Sequence, residues 1–198
     1  MKGRLIVFEG IDGSGTETQS KLLLEKLGTS SVRIEYPDYE GDLGKLIRPF
    51  LEKKHELSPE MQFVLYAGDM VKDKEKINGW LNEGKTVICD RYFLSTIVYQ
   101  GIRGFGLEKT LRFAEDFSIP KPDIVFFLKI TPEESARRKM GEHGRLDRNE
   151  EDISFLGRVN ESYESIAKDN VFGQWFIIDG EKPKEEIAKE VLNVLGKT

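Results

Sequence analysis

The stretch Glu9-Gly10-Ile11-Asp12-Gly13-Ser14-Gly15-Thr16-Glu17-Thr18-Gln19 constrains this chain more than any other. It follows an apolar run, Leu5-Ile6-Val7-Phe8, that reads as a buried strand, and it precedes Ser20 to Leu27, which reads as an amphipathic helix. A strand, a glycine-rich turn and a helix, in that order, form the setting in which backbone N–H groups cradle phosphates. Gly10 and Gly15 keep the glycine spacing of the pattern G-x-x-x-x-G-K-[ST]. The next two residues depart from it: Thr16 stands at the lysine position and Glu17 at the serine or threonine position. The lysine neutralises phosphate charge and the hydroxyl reaches Mg²⁺, so the cradle is present and its usual cation is not. A glycine turn that binds nothing is the bland alternative, and the strand-turn-helix setting argues against it.

Composition narrows the class. At 198 residues with 38% hydrophobic and 33% charged content, the chain is expected to form one globular domain over residues 1–198. No apolar run approaches the roughly 20 residues that span a bilayer, and Met1-Lys2-Gly3-Arg4 leads straight into a strand, so no signal peptide and no membrane partner are expected. The single cysteine, Cys89, excludes an intramolecular disulfide and fits a reducing cytoplasm. It sits in the run Val87-Ile88-Cys89 and reads as a buried, inert thiol. The net charge of −5 argues against broad binding to nucleic acid.

Strand-like and helical patterns alternate along the chain. Further strands are expected at Val32–Tyr36, Thr86–Cys89, Asp123–Ile130 and Gln174–Asp179. Between them lie a short helix from Leu43 to Lys54 and a long one opened by Ser58 as N-cap and Pro59, running to about Asn82. Helices are also expected from about Leu94 to Ile102, Leu107 to Phe117, after Thr131-Pro132, from Ile153 to Lys168, and after Pro183. A charged segment, Gly141 to Asp152, interrupts the pattern. Five strands separated by helices indicate an α/β fold with a parallel sheet covered on both faces. In such sheets ligands lie beyond the carboxyl ends of the strands, so Asp12, the Tyr36–Tyr39 loop and Asp90-Arg91-Tyr92 should converge on one crevice.

Each polar group there has two readings. Arg91 can fork two phosphate oxygens, and Asp90 can hold Mg²⁺, directly or through water, or orient the arginine; the alternative is an ion pair that closes a strand. Arg145 and Arg148 are three apart and can share a face; a solvated charged surface is the usual fate of such a run. Their claim on catalysis is the missing lysine, because phosphoryl transfer needs cationic stabilisation of developing charge. Lys21 and Lys45 are the other candidate cations. Tyr36, Tyr39, Tyr66 and Tyr99 could stack on a base or hydrogen-bond a sugar, or simply pack. His55 and His143 have no partner at a metal-ligand or triad spacing and receive no role.

Taken together these residues resemble the thymidylate kinase family. Phe8 to Gly15 is similar to the family's opening, and Asp90-Arg91-Tyr92 with Ser95-Thr96 and Tyr99-Gln100-Gly101 to its D-R-[YH] segment. Pro120-Lys121-Pro122-Asp123 with Phe127-Leu128 is similar to its P-x-P-D strand, and Leu146-Asp147-Arg148-Asn149-Glu150 to the lid that closes over ATP. The resemblance covers nearly the whole chain. It implies a three-layer P-loop kinase fold, a lid at about residues 141–152, ATP and Mg²⁺ as cofactors, small nucleotide substrates, and a cytoplasmic homodimer that phosphorylates dTMP to dTDP.

The resemblance also implies roles. Gly10, Gly13, Ser14, Gly15, Thr16, Glu17 and Thr18 would surround the ATP phosphates, with Asp12 and Asp90 near the metal. Tyr39 and Arg91 would face the dTMP phosphate, Tyr66 would stack on thymine, Ser95 and Thr96 would lie by the base, and Tyr99 would pack under the deoxyribose. Asp12, Arg91, Arg145 and Arg148 would be catalytic; Gly13 after Asp12 marks the members that carry catalytic arginines in the lid. Two regions depart from the family. At the cradle Thr16 replaces the lysine, while Glu17 could engage Mg²⁺ or pair with Arg148. Met70 stands where an arginine usually contacts thymine. These departures keep two alternatives open: a kinase for another nucleotide or nucleoside, and a nucleotide-binding protein with impaired catalysis.

Overall fold

The computed structural model describes residues 3–143 and 146–197. Five strands, β1 (Leu5–Glu9), β2 (Ser31–Glu35), β3 (Thr86–Asp90), β4 (Ile124–Lys129) and β5 (Gln174–Asp179), form one sheet in the order β2-β3-β1-β4-β5. Every neighbouring pair is parallel, with Val7 opposite Cys89 on one side and Val125 on the other. The helices are α1 (Thr16–Leu27), α2 (Gly44–Leu51), α3 (Pro59–Val71), α4 (Lys74–Asn82), α5 (Phe93–Ile102), α6 (Leu107–Asp116), α7 (Pro132–His143), α8 (Ile153–Lys168) and α9 (Lys184–Leu195). No described helix is long and apolar enough to cross a membrane.

The two-residue period of the strands divides the core. Ile6, Phe8, Ile88, Phe126, Leu128 and Ile178 point to one face, where Leu23 of α1 and Ile187 and Val191 of α9 cover them. Leu5, Val7, Val87, Cys89, Val125 and Phe127 point to the other, under Phe63, Phe93, Val98, Val159 and Tyr163 of α3, α5 and α8. This three-layer arrangement is the α/β architecture expected from the sequence, and Cys89 is a buried free thiol. The chain leaves β1 toward the α1 face and leaves β3 toward the α5 face. A crevice therefore opens between the carboxyl ends of these adjacent strands, which is where ligands enter sheets of this kind.

One expected helix is in fact two. The apolar pattern from Pro59 to Asn82 reads as continuous, but α3 stops at Val71 and α4 restarts at Lys74. The cause is tertiary. Lys72 Nζ reaches Asp69, Asp73 and Asp38 at 3.0, 2.6 and 3.3 Å, and the fully buried Asp69 accepts the Asp38 N–H at 2.8 Å. This polar knot binds the end of α3 to the loop after β2, a constraint that periodicity along one helix does not register.

Phe126 is fully buried, with the Phe8 ring stacked at 5.3 Å and the Phe176 ring at 6.0 Å. Phe126→Ala should cost about 3–5 kcal/mol through lost burial and an unfilled cavity. Denaturant unfolding measures this; a loss below about 1 kcal/mol would mean that this layer collapses around the deletion.

Candidate active site

The loop after β1 is shaped by close approaches. A Cβ on Gly10 would lie 2.7 Å from the Leu128 carbonyl oxygen and 2.5 Å from Ser14 Oγ. Gly15, with φ of 94°, is the N-cap of α1 and leaves that terminus without a side-chain cap. The first helical bond, Gln19 N–H to the Gly15 carbonyl, is 3.0 Å long. The amides ahead of it have no partner inside the helix and face outward as anion donors. Helix α7 clamps the loop from above: Ser135 Oγ donates to the Asp12 carbonyl at 2.7 Å, and Arg138 donates to the carbonyls of Gly13 and Gly180 at 3.0 and 3.1 Å. The sequence reading missed both residues; they sit in a charged helix with no local motif to distinguish them.

The departures at Thr16 and Glu17 have local consequences. Thr16 is buried at the start of α1 and lowers the pKa of the Asp90 carboxylate. Asp90 also receives Arg33 at 2.7 Å, with the two side chains only 10% and 13% exposed. Burial raises the Asp90 carboxyl above its usual range, opposed by Thr16, Arg91 and Arg33. Glu17 is exposed and pairs with Lys21 one turn along α1; that hydrogen bond holds its carboxyl below the usual range. The suggested pairing of Glu17 with Arg148 does not occur. Arg148 instead donates to the Phe50 carbonyl at 3.0 Å and to both Glu56 oxygens at 2.9 and 2.7 Å. Glu56 and the α2–α3 connection hold it on that side of the crevice. Arg145 lies outside the described residues, and Lys45 is exposed on α2.

Arg91 joins the two strand ends. Its φ of 61° is a left-handed conformation rare for a non-glycine residue and characteristic of constrained sites. The guanidinium donates to the Gly10 carbonyl and to Asp12, each at 2.7 Å. Asp12, Tyr39, Arg91 and Asp147 line both an inner cavity and an outer mouth. The mouth adds Arg48, Lys139 and Glu150, which sequence reasoning did not single out. Lys139 Nζ lies 3.8 Å from Glu150. Burial pushes the Glu150 carboxyl up to about 7, and burial, then the charge of Asp12, raises Asp147.

The inner cavity gathers Tyr66, Met70, Ser95, Thr96 and Tyr99, with Gln62, Gln100 and Arg103 beside them. Thr96 Oγ1, Tyr99 OH, Gln100 Oε1 and Gln62 Oε1 are buried and have no hydrogen-bond partner within the protein. Buried polar atoms are rarely left so, and four around one cavity mark it as a site that a polar ligand completes. Ser95 differs: its hydroxyl donates to Glu9 at 2.6 Å and lies 2.9 Å from Tyr163 OH. Glu9, fully buried at the end of β1, also accepts the N–H groups of Tyr92 and Ser95 and the Tyr163 hydroxyl.

A phosphate cradle and a ligand-ready cavity thus face each other across Arg91, which is the layout of a P-loop kinase. Comparison with known proteins agrees. The family model described as thymidylate kinase matches residues 8–191. A thymidylate kinase of Thermoanaerobacter sp. strain X514 is 36% identical, over 100% of this chain and 99% of that protein. The human thymidylate kinase is 28% identical over 96% of this chain and 88% of its own length. The solved thymidylate kinase of Candida albicans superposes with a TM-score of 0.80 at 25% identity, covering 99% of this chain and 92% of that one. The chain belongs to the thymidylate kinase family.

The Glu9 network generates a prediction. Burial raises this carboxyl from 4.5 to about 7, against the opposing hydrogen bonds from Ser95, Tyr163 and Tyr92 and the charge of Arg91. The native state therefore holds the proton more tightly than the unfolded chain. The penalty for charging Glu9 is absent below the unfolded value near 4.5 and fully present above about 7. Glu9→Gln can keep the two amide contacts on its oxygen and donate to the hydroxyl oxygens of Ser95 and Tyr163. It should raise Tm at about pH 8, by the equivalent of up to ~3 kcal/mol, and leave it unchanged at about pH 4.5. A pH series of thermal melts checks this; a difference independent of pH would show that Glu9 does not titrate in the fold.

Proposed function

We propose that this protein transfers the γ-phosphoryl group of ATP to dTMP, giving dTDP and ADP. The carrying observation is the cavity of unpartnered Thr96, Tyr99, Gln100 and Gln62 acceptors beside the uncapped N-terminus of α1. Family membership supports a nucleoside monophosphate kinase acting on dTMP. The ATP phosphates would rest on the amides of Gly13 to Thr18, and Tyr66, Thr96 and Tyr99 would receive the acceptor nucleoside. Arg91 and Tyr39 would face its phosphate, whose oxygen is already anionic and needs no general base. The segment 141–152 would act as the lid, since Leu146, Asp147 and Glu150 line the mouth with Asp12 and Arg91.

Among the described residues no three His, Cys, Asp or Glu side chains converge to form a metal cage. A magnesium ion would therefore be held chiefly by phosphates and water, with one or two carboxylates in support. Asp12, 29% exposed at the mouth, fits that role, whereas Asp90 is engaged by Arg33. When bound, the ion neutralises charge on the transferred phosphate.

A homodimer is part of the same proposal. Leu46 on α2 and Met61 and Val64 on α3 expose apolar side chains at 51%, 48% and 54% on adjoining helices. Light scattering should give twice the mass of the chain; a monomer that phosphorylates dTMP at full rate would remove the dimer from the scheme.

The function is tested by incubating the protein with Mg²⁺-ATP and dTMP, dUMP, dGMP, UMP or thymidine. dTDP should form fastest, and no product from any acceptor would overturn the proposal. Thr96→Val leaves the cavity's shape but removes a hydroxyl that a ligand would satisfy. It should raise the KM for dTMP by about ten-fold with the KM for ATP unchanged.

A further inference from the structure

We propose that Arg33, on β2, neutralises the Asp90 carboxylate beside the phosphate cradle and so lets the cradle accept a polyphosphate without the positive charge that Thr16 leaves out. In the G-x-x-x-x-G-K-[ST] pattern that charge arrives from the first residue of the helix. Here that residue is threonine, which carries no charge to set against Asp90. Asp90 ends β3 beside the cradle and is 10% exposed. Left alone it would be a desolvated anion adjacent to where a polyphosphate must sit, and it would repel that ligand through a low-dielectric path.

Arg33 removes that obstacle from a neighbouring strand. One terminal guanidinium nitrogen meets Asp90 at 2.7 Å, and Nε donates to Ser20 Oγ on α1 at 2.8 Å. The other terminal nitrogen meets Glu35 at 2.6 Å, on the exposed edge of the sheet. The planar fork is thereby fixed between β3 and the first turns of α1. Arg33 is a positioning residue in this account: it neutralises the Asp90 carboxylate and ties β3 to α1 through Ser20. Neither Lys21, paired with Glu17, nor Arg148, paired with Glu56, stands at that place.

The inference rests on the reading of the cradle as the ATP phosphate site, and its test separates the two. ATP binding is measured by titration calorimetry, without acceptor, for the parent, Arg33→Gln, Arg33→Gln with Asp90→Asn, and Arg33→Gln with Thr16→Lys, each with its Tm. A parent that binds no ATP overturns the reading of the cradle. With a parent that binds, Arg33→Gln should weaken ATP at least about ten-fold, the scale of one lost charge-assisted contact. Both double variants should recover most of the loss: one removes the unpaired anion, and the other restores a cation at the pattern's own position. Arg33→Gln binding ATP as the parent does overturns the assignment. So does failure of either double variant to recover binding. If Arg33→Gln does not fold, the Thr16→Lys double variant decides: a folded protein with parental ATP affinity supports the proposal, and an unfolded or non-binding one shows that Arg33 serves the fold alone.

Discussion

The site depends on one buried carboxyl. Glu9 closes β1, and its two oxygens collect donors from two helices packed on one face of the sheet: Tyr92 and Ser95 at the start of α5 and Tyr163 in the middle of α8. The terminus of α5 has no cap of its own, so Glu9 satisfies its first amides from another element. The next residue along the chain is Gly10, where the cradle begins. One side chain therefore sets the angle between the phosphate loop and the helix that carries Thr96 and Tyr99. The two halves of the site can hold a fixed separation only because this junction is dry and fully bonded; a buried network of this kind is stable when every member is satisfied and costly when one is not.

Around that junction carboxylates and cations are interleaved. The mouth holds Asp12, Asp147 and Glu150, two of them raised by burial, facing Arg91 and Lys139. The cradle floor holds Asp90 with Arg33. Four carboxylates of the site are paired with a cation from a different element each: Asp12 from the end of β3, Asp90 from β2, Glu17 from within α1 and Glu150 from α7. The α1 terminus stays uncapped beside these pairs, and three of the four pairings are tertiary in origin.

That origin explains what the sequence disclosed. The five strands, the glycine loop, and the α3 N-cap at Ser58 are local patterns, set by alternation, close backbone approach and capping. So is the meeting of Asp12 with Arg91, because both follow the carboxyl ends of adjacent strands. Arg33 was invisible for a different reason. It reads as the polar half of an alternating edge strand, and only the pairing of β2 beside β3 brings it to Asp90. The one usable signal was that Arg33 and Glu35 share a face next to the strand ending in Asp90. Ser135 and Arg138 were hidden in the same way, as was the break between α3 and α4. Arg148 shows the converse: a persuasive local spacing, with a partner, Glu56, that lies far away in the sequence.

The acceptor cavity carries the argument one step further. Met70 is buried at 3% exposure and lines it without a hydrogen-bonding group, so on the proposed reading it contributes shape and dispersion to the base site. Discrimination by hydrogen bonding then falls to the unpartnered atoms of Thr96, Gln100 and Gln62. A cavity with orphaned polar atoms rejects ligands that cannot satisfy them more sharply than an apolar wall rejects ligands of the wrong size. Arg103 stands at the same wall, stacked over Phe155 and bonded to Asn149 and the Tyr99 carbonyl. Both its terminal nitrogens are thereby engaged by neutral groups of the protein. On the proposed reading, methionine at position 70, where the family resemblance places an arginine, leaves selection to several weaker neutral contacts distributed over α3 and α5.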